Sequence, residues 1–238
     1  MDTPSQPPKE QPKPRFGWAA AYIDGEATHE LTPLRRARRA LAFALRRVID
    51  ASVSRTVPQD HLEALTAQLE AAAEALERYD TQGFTGYAEA ANSPEPNDGF
   101  MDKSPVLGQA NPLAPPLYMD FSKDRIEASA TFGAAYEGPP GCVHGGWIAA
   151  SFDEVLGAAQ SLNGSGGMTA YLNVNYRSPT PLHAKVHFIG ELISTEGRKI
   201  LTRGTLWHGE TLCAEAEGLF IAVDFQRFAE MRLKRDAT

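Results

Sequence analysis

The chain has 238 residues, a net charge of −7, and apolar and charged fractions of 42% and 22%. These are the proportions of an ordinary globular protein, and the acidic balance argues against a mainly nucleic-acid-binding one. No apolar run approaches the ~20 residues that span a bilayer, and Cys142 and Cys213 are too far apart in sequence to form a metal-ligand cluster.

The two cysteines fit free thiols in a reducing compartment, with a disulfide as the alternative. Met1 to Pro14 is rich in Pro, Lys and Gln and has no apolar core, unlike a secretory signal. A cytoplasmic protein is expected. Residues 1–15 read as a disordered or extended arm, and Phe16 to Ile23 as a short apolar patch suited to docking on the body.

Residues 16–80 are expected to form a helical extension. Thr32-Pro33 opens its first helix, with Thr as cap and Pro at the first helical position. Leu34, Ala37, Leu41, Leu45 and Val48 recur at spacings of three and four, giving one apolar stripe. Arg35, Arg36, Arg38, Arg39, Arg46 and Arg47 occupy the other face. Pro58 starts a second helix with the stripe Leu62, Leu65, Leu69, Ala72, Leu76 and Tyr79. The pair predicts a helical hairpin. Each stripe needs a partner: the other helix, the main domain or another subunit. The arginine face is either solvated and paired with glutamates of the second helix, or a surface for anionic lipid or a phosphorylated ligand. Residues 81–116, rich in Gly, Pro, Asn and Asp, read as a linker or a covering loop at a pocket entrance.

Residues 117–238 form the expected main domain. Ile126, Ala128, Ala130 and Phe132 alternate with polar residues, which predicts a half-buried strand. Next comes the glycine-rich turn Gly138-Pro139-Pro140-Gly141-Cys142-Val143-His144-Gly145-Gly146, and then an apolar helix over Trp147–Leu162. The run Asn163 to Gly167 ends that helix. Four strands follow over 168–177, 185–193, 199–207 and 212–224, with short turns at Glu196-Gly197 and His208-Gly209-Glu210. Arg227 to Arg235 reads as a closing helix or tail. A strand, a helix and a four-strand meander make an α+β fold.

The helix over 147–162 is apolar nearly all round and therefore buried. Yet Asp153 and Glu154 sit at its middle, where an unpaired charge is costly. Their helical neighbours leave open which carboxylate faces inward, or whether both lie at a wet or arginine-paired edge. His144 precedes the helix. The N–H groups of Gly145 and Gly146 lie at its positive end, suited to a developing oxyanion. Simple alternation puts Thr169 on the strand face opposite Leu172 and Val174.

The run Gly141-Cys142-Val143-His144-Gly145-Gly146, then Asp153, then Met168-Thr169-Ala170-Tyr171-Leu172-Asn173-Val174-Asn175-Tyr176-Arg177-Ser178-Pro179 resembles the hotdog-fold acyl-CoA thioesterases. The nearest group is the phenylacetyl-CoA-type, PaaI-like, single-hotdog subfamily. The resemblance spans residues 115–225 and leaves the helical extension unmatched. It implies an α+β hotdog fold, with an antiparallel sheet wrapped around a central helix. It implies protomers paired edge to edge as a homodimer or dimer of dimers, with active sites at the interface. The implied reaction, placed in lipid metabolism, is hydrolysis of an acyl-CoA to free acid and CoA, with no cofactor or metal. Asp153 would act as general base or nucleophile, beside Glu154 as a second candidate, and Thr169 would position the water. Gly145 and Gly146 would hold the thioester oxygen with His144, facing Asp153 of the other protomer. Asn173, Arg177, Arg198 and Lys199 are candidates for the CoA phosphates. The rival expectations are a hotdog dehydratase or hydratase acting on acyl thioesters, and a non-catalytic acyl-CoA-binding or regulatory module.

Overall fold

The computed structural model describes residues 32–79, 101–115, 117–120, 124–164 and 166–223. The arm at 1–15, the patch at 16–23 and the closing segment at 227–235 lie outside them. Six strands form one antiparallel sheet: β1 (Tyr118–Asp120), β2 (Ile126–Thr131), β3 (Gly167–Tyr176), β4 (Lys185–Glu196), β5 (Lys199–His208) and β6 (Thr211–Ala222). Their spatial order is β1-β2-β4-β5-β6-β3.

The turns joining β4 to β5 and β5 to β6 are tight because Gly197 and Gly209 each adopt φ 57°, a conformation that costs glycine little. The meander has three strands, however, not the expected four. β3 pairs with β6 at the far edge, and β4 pairs with β2. Residues 177–184 make the crossing. The Arg177 and Ser178 N–H groups donate to the Cys213 carbonyl on β6. The Leu182 and His183 N–H groups then donate to Gly141 and Phe132, on the β2 side. Strand β1 is three residues long, too short to leave a readable alternation.

Helix α3 (Gly145–Gln160) packs against the sheet, chiefly on β4, β3 and β5. It begins two residues before the expected Trp147, and a 3-10 turn over Ser161–Asn163 extends it. Phe152, Val155, Leu156, Ala158 and Ala159 are fully buried beneath it, against Phe188, Ile200, Leu206 and Phe220. Burying each large apolar side chain contributes about 1.5–3 kcal/mol. This outweighs the ~1 kcal/mol that each glycine costs a helix. Gly190 and Gly204, directly paired across β4 and β5, let the helix sit close. A Cβ at Gly190 would stand 2.8 Å from Val155 Cγ1, and one at Gly204 3.0 Å from Leu156 Cδ2.

The extension consists of α1 (Pro33–Ser54) and α2 (Gln59–Glu77). Both start as the sequence predicts: Thr32 Oγ1 accepts from the Arg35 N–H at 3.2 Å, and Pro58 precedes α2. Within one chain the apolar stripes are left largely uncovered by the other helix and by the body. The stripe members Leu34, Leu41 and Val48 are 60%, 46% and 41% exposed. It is the arginine face of α1 that meets the body. Asp102 is 4% exposed, and a carboxylate so placed requires cations. Arg35 Nε reaches its Oδ2 at 2.8 Å and Arg39 Nη2 its Oδ1 at 2.7 Å. Arg46 donates to the Asn111 and Gln109 carbonyls at 2.8 and 3.1 Å. Asp50, on the same face, accepts the Ala134 N–H at 2.6 Å. The long arginine stems cover apolar surface while their heads bond. Neither the solvated reading nor pairing with α2 glutamates therefore holds for Arg35, Arg39 and Arg46. No residue of α2 is buried. Cys142 and Cys213 are free thiols.

Candidate active site

The turn before α3 is closed by its own bonds. The Gly138 N–H donates to the Cys142 carbonyl at 2.9 Å, and the Gly141 N–H to Glu137 Oε1 at 2.7 Å. His144 follows as the helix cap. Its Nδ1 accepts the Gly146 N–H at 3.0 Å. An accepting Nδ1 places the proton of a neutral imidazole on Nε2. The two glycine N–H groups therefore differ. That of Gly146 is engaged by His144, whereas no acceptor among the described residues takes that of Gly145. The Tyr176 hydroxyl donates to the Gly145 carbonyl at 2.8 Å, which ties the end of β3 to the start of α3.

Two turns and a half along α3, Thr169 Oγ1 donates to Asp153 Oδ1 at 2.8 Å. Simple alternation puts Thr169 on the wrong face for this contact. The structure corrects that reading through a β-bulge. Thr169 opposes Phe220, but the next paired residue, Tyr171, opposes Leu219, so Ala170 is the extra residue. Directly opposed residues share a face. Thr169 thus lies on the Phe220 side, together with Leu172 opposite Gly218 and Val174 opposite Ala216. That is the side on which α3 packs.

The two adjacent carboxylates have opposite environments. Asp153 is exposed. Glu154 points inward, where Ser104 Oγ donates to its Oε1 at 2.9 Å. Burial pushes the Glu154 carboxyl up to about 7, the Asp153 charge adds to the rise, and the Ser104 bond opposes it. Ser104 also accepts the Val106 and Leu107 N–H groups, each at 3.2 Å. Residues 101–115 thereby carry Asp102 to α1 and Ser104 to α3.

The remaining expected residues are spread out. Arg198 and Lys199 lie at the β4–β5 turn, at the end of the sheet that holds the start of β3; Arg198 Nε donates to the Ala222 carbonyl at 3.1 Å. Arg177 lies at the other end of β3, paired with Glu215 at 2.7 Å. Asn173 is exposed between them. Within one chain the structure joins Asp153 to Thr169, and His144 to Gly145, Gly146 and Tyr176. The nine helical steps from His144 to Asp153 separate these clusters by about 13 Å. Sequence reasoning gave Tyr176 and Ser104 no role. Tyr176 carried a signal, because its place in the matched strand sets it near the loop; Ser104 carried none. Among the described residues, no group of three or more His, Cys, Asp or Glu is placed to hold a metal ion.

The chain has counterparts among known proteins. A family model described as Thioesterase superfamily matches residues 140–215. A solved structure described as a thioesterase superfamily protein superposes with a TM-score of 0.69 at 33% identity, covering 77% of this chain and 94% of that one. The chain belongs to the thioesterase superfamily, and its fold is the α+β hotdog fold. Acyl-coenzyme A thioesterase THEM4 of Bos taurus is 39% identical over 94 residues, 39% of this chain and 38% of that protein. THEM4 of Xenopus laevis is 40% identical over 91 residues, 37% of this chain and 41% of that protein. The chain thus matches about two fifths of the length of these curated relatives. No helix among the described residues is long and apolar enough to cross a membrane.

Proposed function

We propose that the protein is an acyl-CoA thioesterase, and that two copies complete each active site. The observation that carries this is the Thr169–Asp153 bond at 2.8 Å. It fixes one oxygen of an exposed carboxylate and leaves the other to take a proton from water. Family membership and the identity to acyl-CoA thioesterases support the reaction class.

In this reading the Gly145 N–H, at the positive end of α3, polarises the thioester carbonyl. The His144 Nε2–H donates to the same oxygen. Asp153 removes a proton from water as the water attacks the carbonyl carbon. The tetrahedral intermediate collapses, the carbon–sulfur bond breaks, and the CoA thiolate takes the proton back from Asp153. Free acid and CoA leave. The separation of about 13 Å between the two clusters along α3 is too long for one chain to serve both ends of this reaction. Edge-to-edge pairing of two β3 strands brings the Asp153 of one copy to the His144 loop of the other. Arg198 and Lys199, adjacent at the β4–β5 turn, are the cations this reading gives to the CoA phosphates as charge-assisted donors. The reading needs no metal or cofactor.

Free-thiol release from a panel of acyl-CoAs, from acetyl through palmitoyl and including phenylacetyl, tests the proposal. Release from at least one member is expected. Hydration of crotonyl-CoA without thiol release would instead mark a hydratase. Tight binding of every member with no release would mark a binding module.

A further inference from the structure

The extension leaves a surface that the reaction does not use. Along α1, Leu34, Leu41, Phe43, Val48, Ile49 and Val53 are exposed, and along α2, Leu62, Leu65, Leu69 and Leu76 are as well. Exposed apolar patches of this extent mark interaction sites. The two helices and the β1–β2 side of the body line a groove of about 1420 Å³, with Phe43, Ile49, Leu65, Leu69, Tyr118 and Tyr136 among its walls.

Charge decides what fits there. The α1 span carries Arg35, Arg36, Arg38, Arg39, Arg46 and Arg47 against the single acid Asp50. The α2 span carries Asp60, Glu63, Glu70, Glu74 and Glu77 and no lysine or arginine. Basic Arg38 and Arg47 remain exposed on α1 beside its apolar residues. An anionic bilayer would meet the acids of α2 as readily as the arginines of α1, and a flat surface does not enter a groove. A two-fold interface sets a patch against its own reversed copy. There a basic apolar helix meets an acidic apolar one.

We infer that a second copy of this chain covers the extension, with α1 of each copy packed on α2 of the other through their leucine stripes and opposite charges. This contact is separate from β3 edge pairing and does not depend on the proposed chemistry.

The test places a photo-reactive benzophenone amino acid at Leu65 in the full chain. A covalent band of twice the chain mass, in which the modified residue is joined to an α1 peptide, is expected. Arg38→Glu with Arg47→Glu should lower the yield of that band at least tenfold at low salt, with the circular dichroism spectrum unchanged. Adducts of single-chain mass to residues 16–31 or 80–100 would show that the chain covers its own groove. The absence of any adduct would show the groove to be open. Either result overturns the inference, whatever the thioesterase assay reads.

Discussion

Thr169 reaches Asp153 across a β-bulge: its chain neighbour Ala170 is the extra residue of β3, and Thr169 is left opposite Phe220 on the helix side of the sheet. The proposed catalytic contact is therefore a property of strand register as much as of residue type. Asp153→Ala should lower kcat by about 10²- to 10⁴-fold, the usual contribution of a positioned general base. Thr169→Val should cost about tenfold, in line with the loss of one hydrogen bond to a charged group. Thiol release at saturating substrate measures both, and near-native turnover by the Asp153 variant would remove that residue from the mechanism.

Deleting Ala170 tests the register directly. With the extra residue gone, Thr169 opposite Phe220 and Tyr171 opposite Leu219 become ordinary neighbours of a regular strand, and alternation keeps Thr169 on the helix side. The deletion variant should therefore retain more activity than Thr169→Val while keeping its strand content. A loss as large as that of Thr169→Val in a folded deletion variant would show that the bulge itself, and not the pairing with Phe220, places the threonine.

Glu154 should make stability depend on pH. Its carboxyl is raised from 4.5 to about 7, chiefly by burial, so the folded chain holds this proton more tightly than the unfolded chain. Its contribution is fully present below pH 4.5 and is lost as pH rises through about 7. The full loss amounts to about 3 kcal/mol. Thermal unfolding of the native protein should accordingly weaken between pH 5 and 8, and Glu154→Gln should flatten that slope. Parallel slopes for the two proteins would assign the pH dependence elsewhere.

Asp102→Ala should be severe although the site is remote from Asp153. It leaves Arg35, buried at 8% exposure, without the carboxylate it bonds. Breaking such a pair costs about 3–5 kcal/mol. The midpoint of urea unfolding reads this loss. A change below 1 kcal/mol would show that the apolar neighbours, rather than the ions, hold α1 in place.

Features encoded by near neighbours were legible in the chain. Thr32-Pro33 announced α1, Gly197 and Gly209 announced the hairpin turns, and the run after His144 announced a buried helix. Features set by distant partners were not. The apolar stripe of α1 calls for a partner, but nothing near it in sequence shows that Asp102, more than sixty positions away, draws the arginine face onto the body. The crossing of β3 to β6 is invisible because the connection over 177–184 is short enough for a hairpin. The face of Thr169 was misread because alternation assumes a constant period of two, and a single bulged residue resets the count. The two carboxylates could not be told apart until Ser104 was seen against Glu154.

Asp102 and Ser104 are two positions apart, yet one anchors the extension and the other bonds the helix that bears Asp153. Exchange of parts between relatives is constrained accordingly. A hotdog domain taken without α1 would expose a carboxylate to an environment shaped for two guanidinium groups. An extension grafted from elsewhere would need the 101–115 segment to travel with it. The unit that evolution or a protein engineer can move is α1 with that segment.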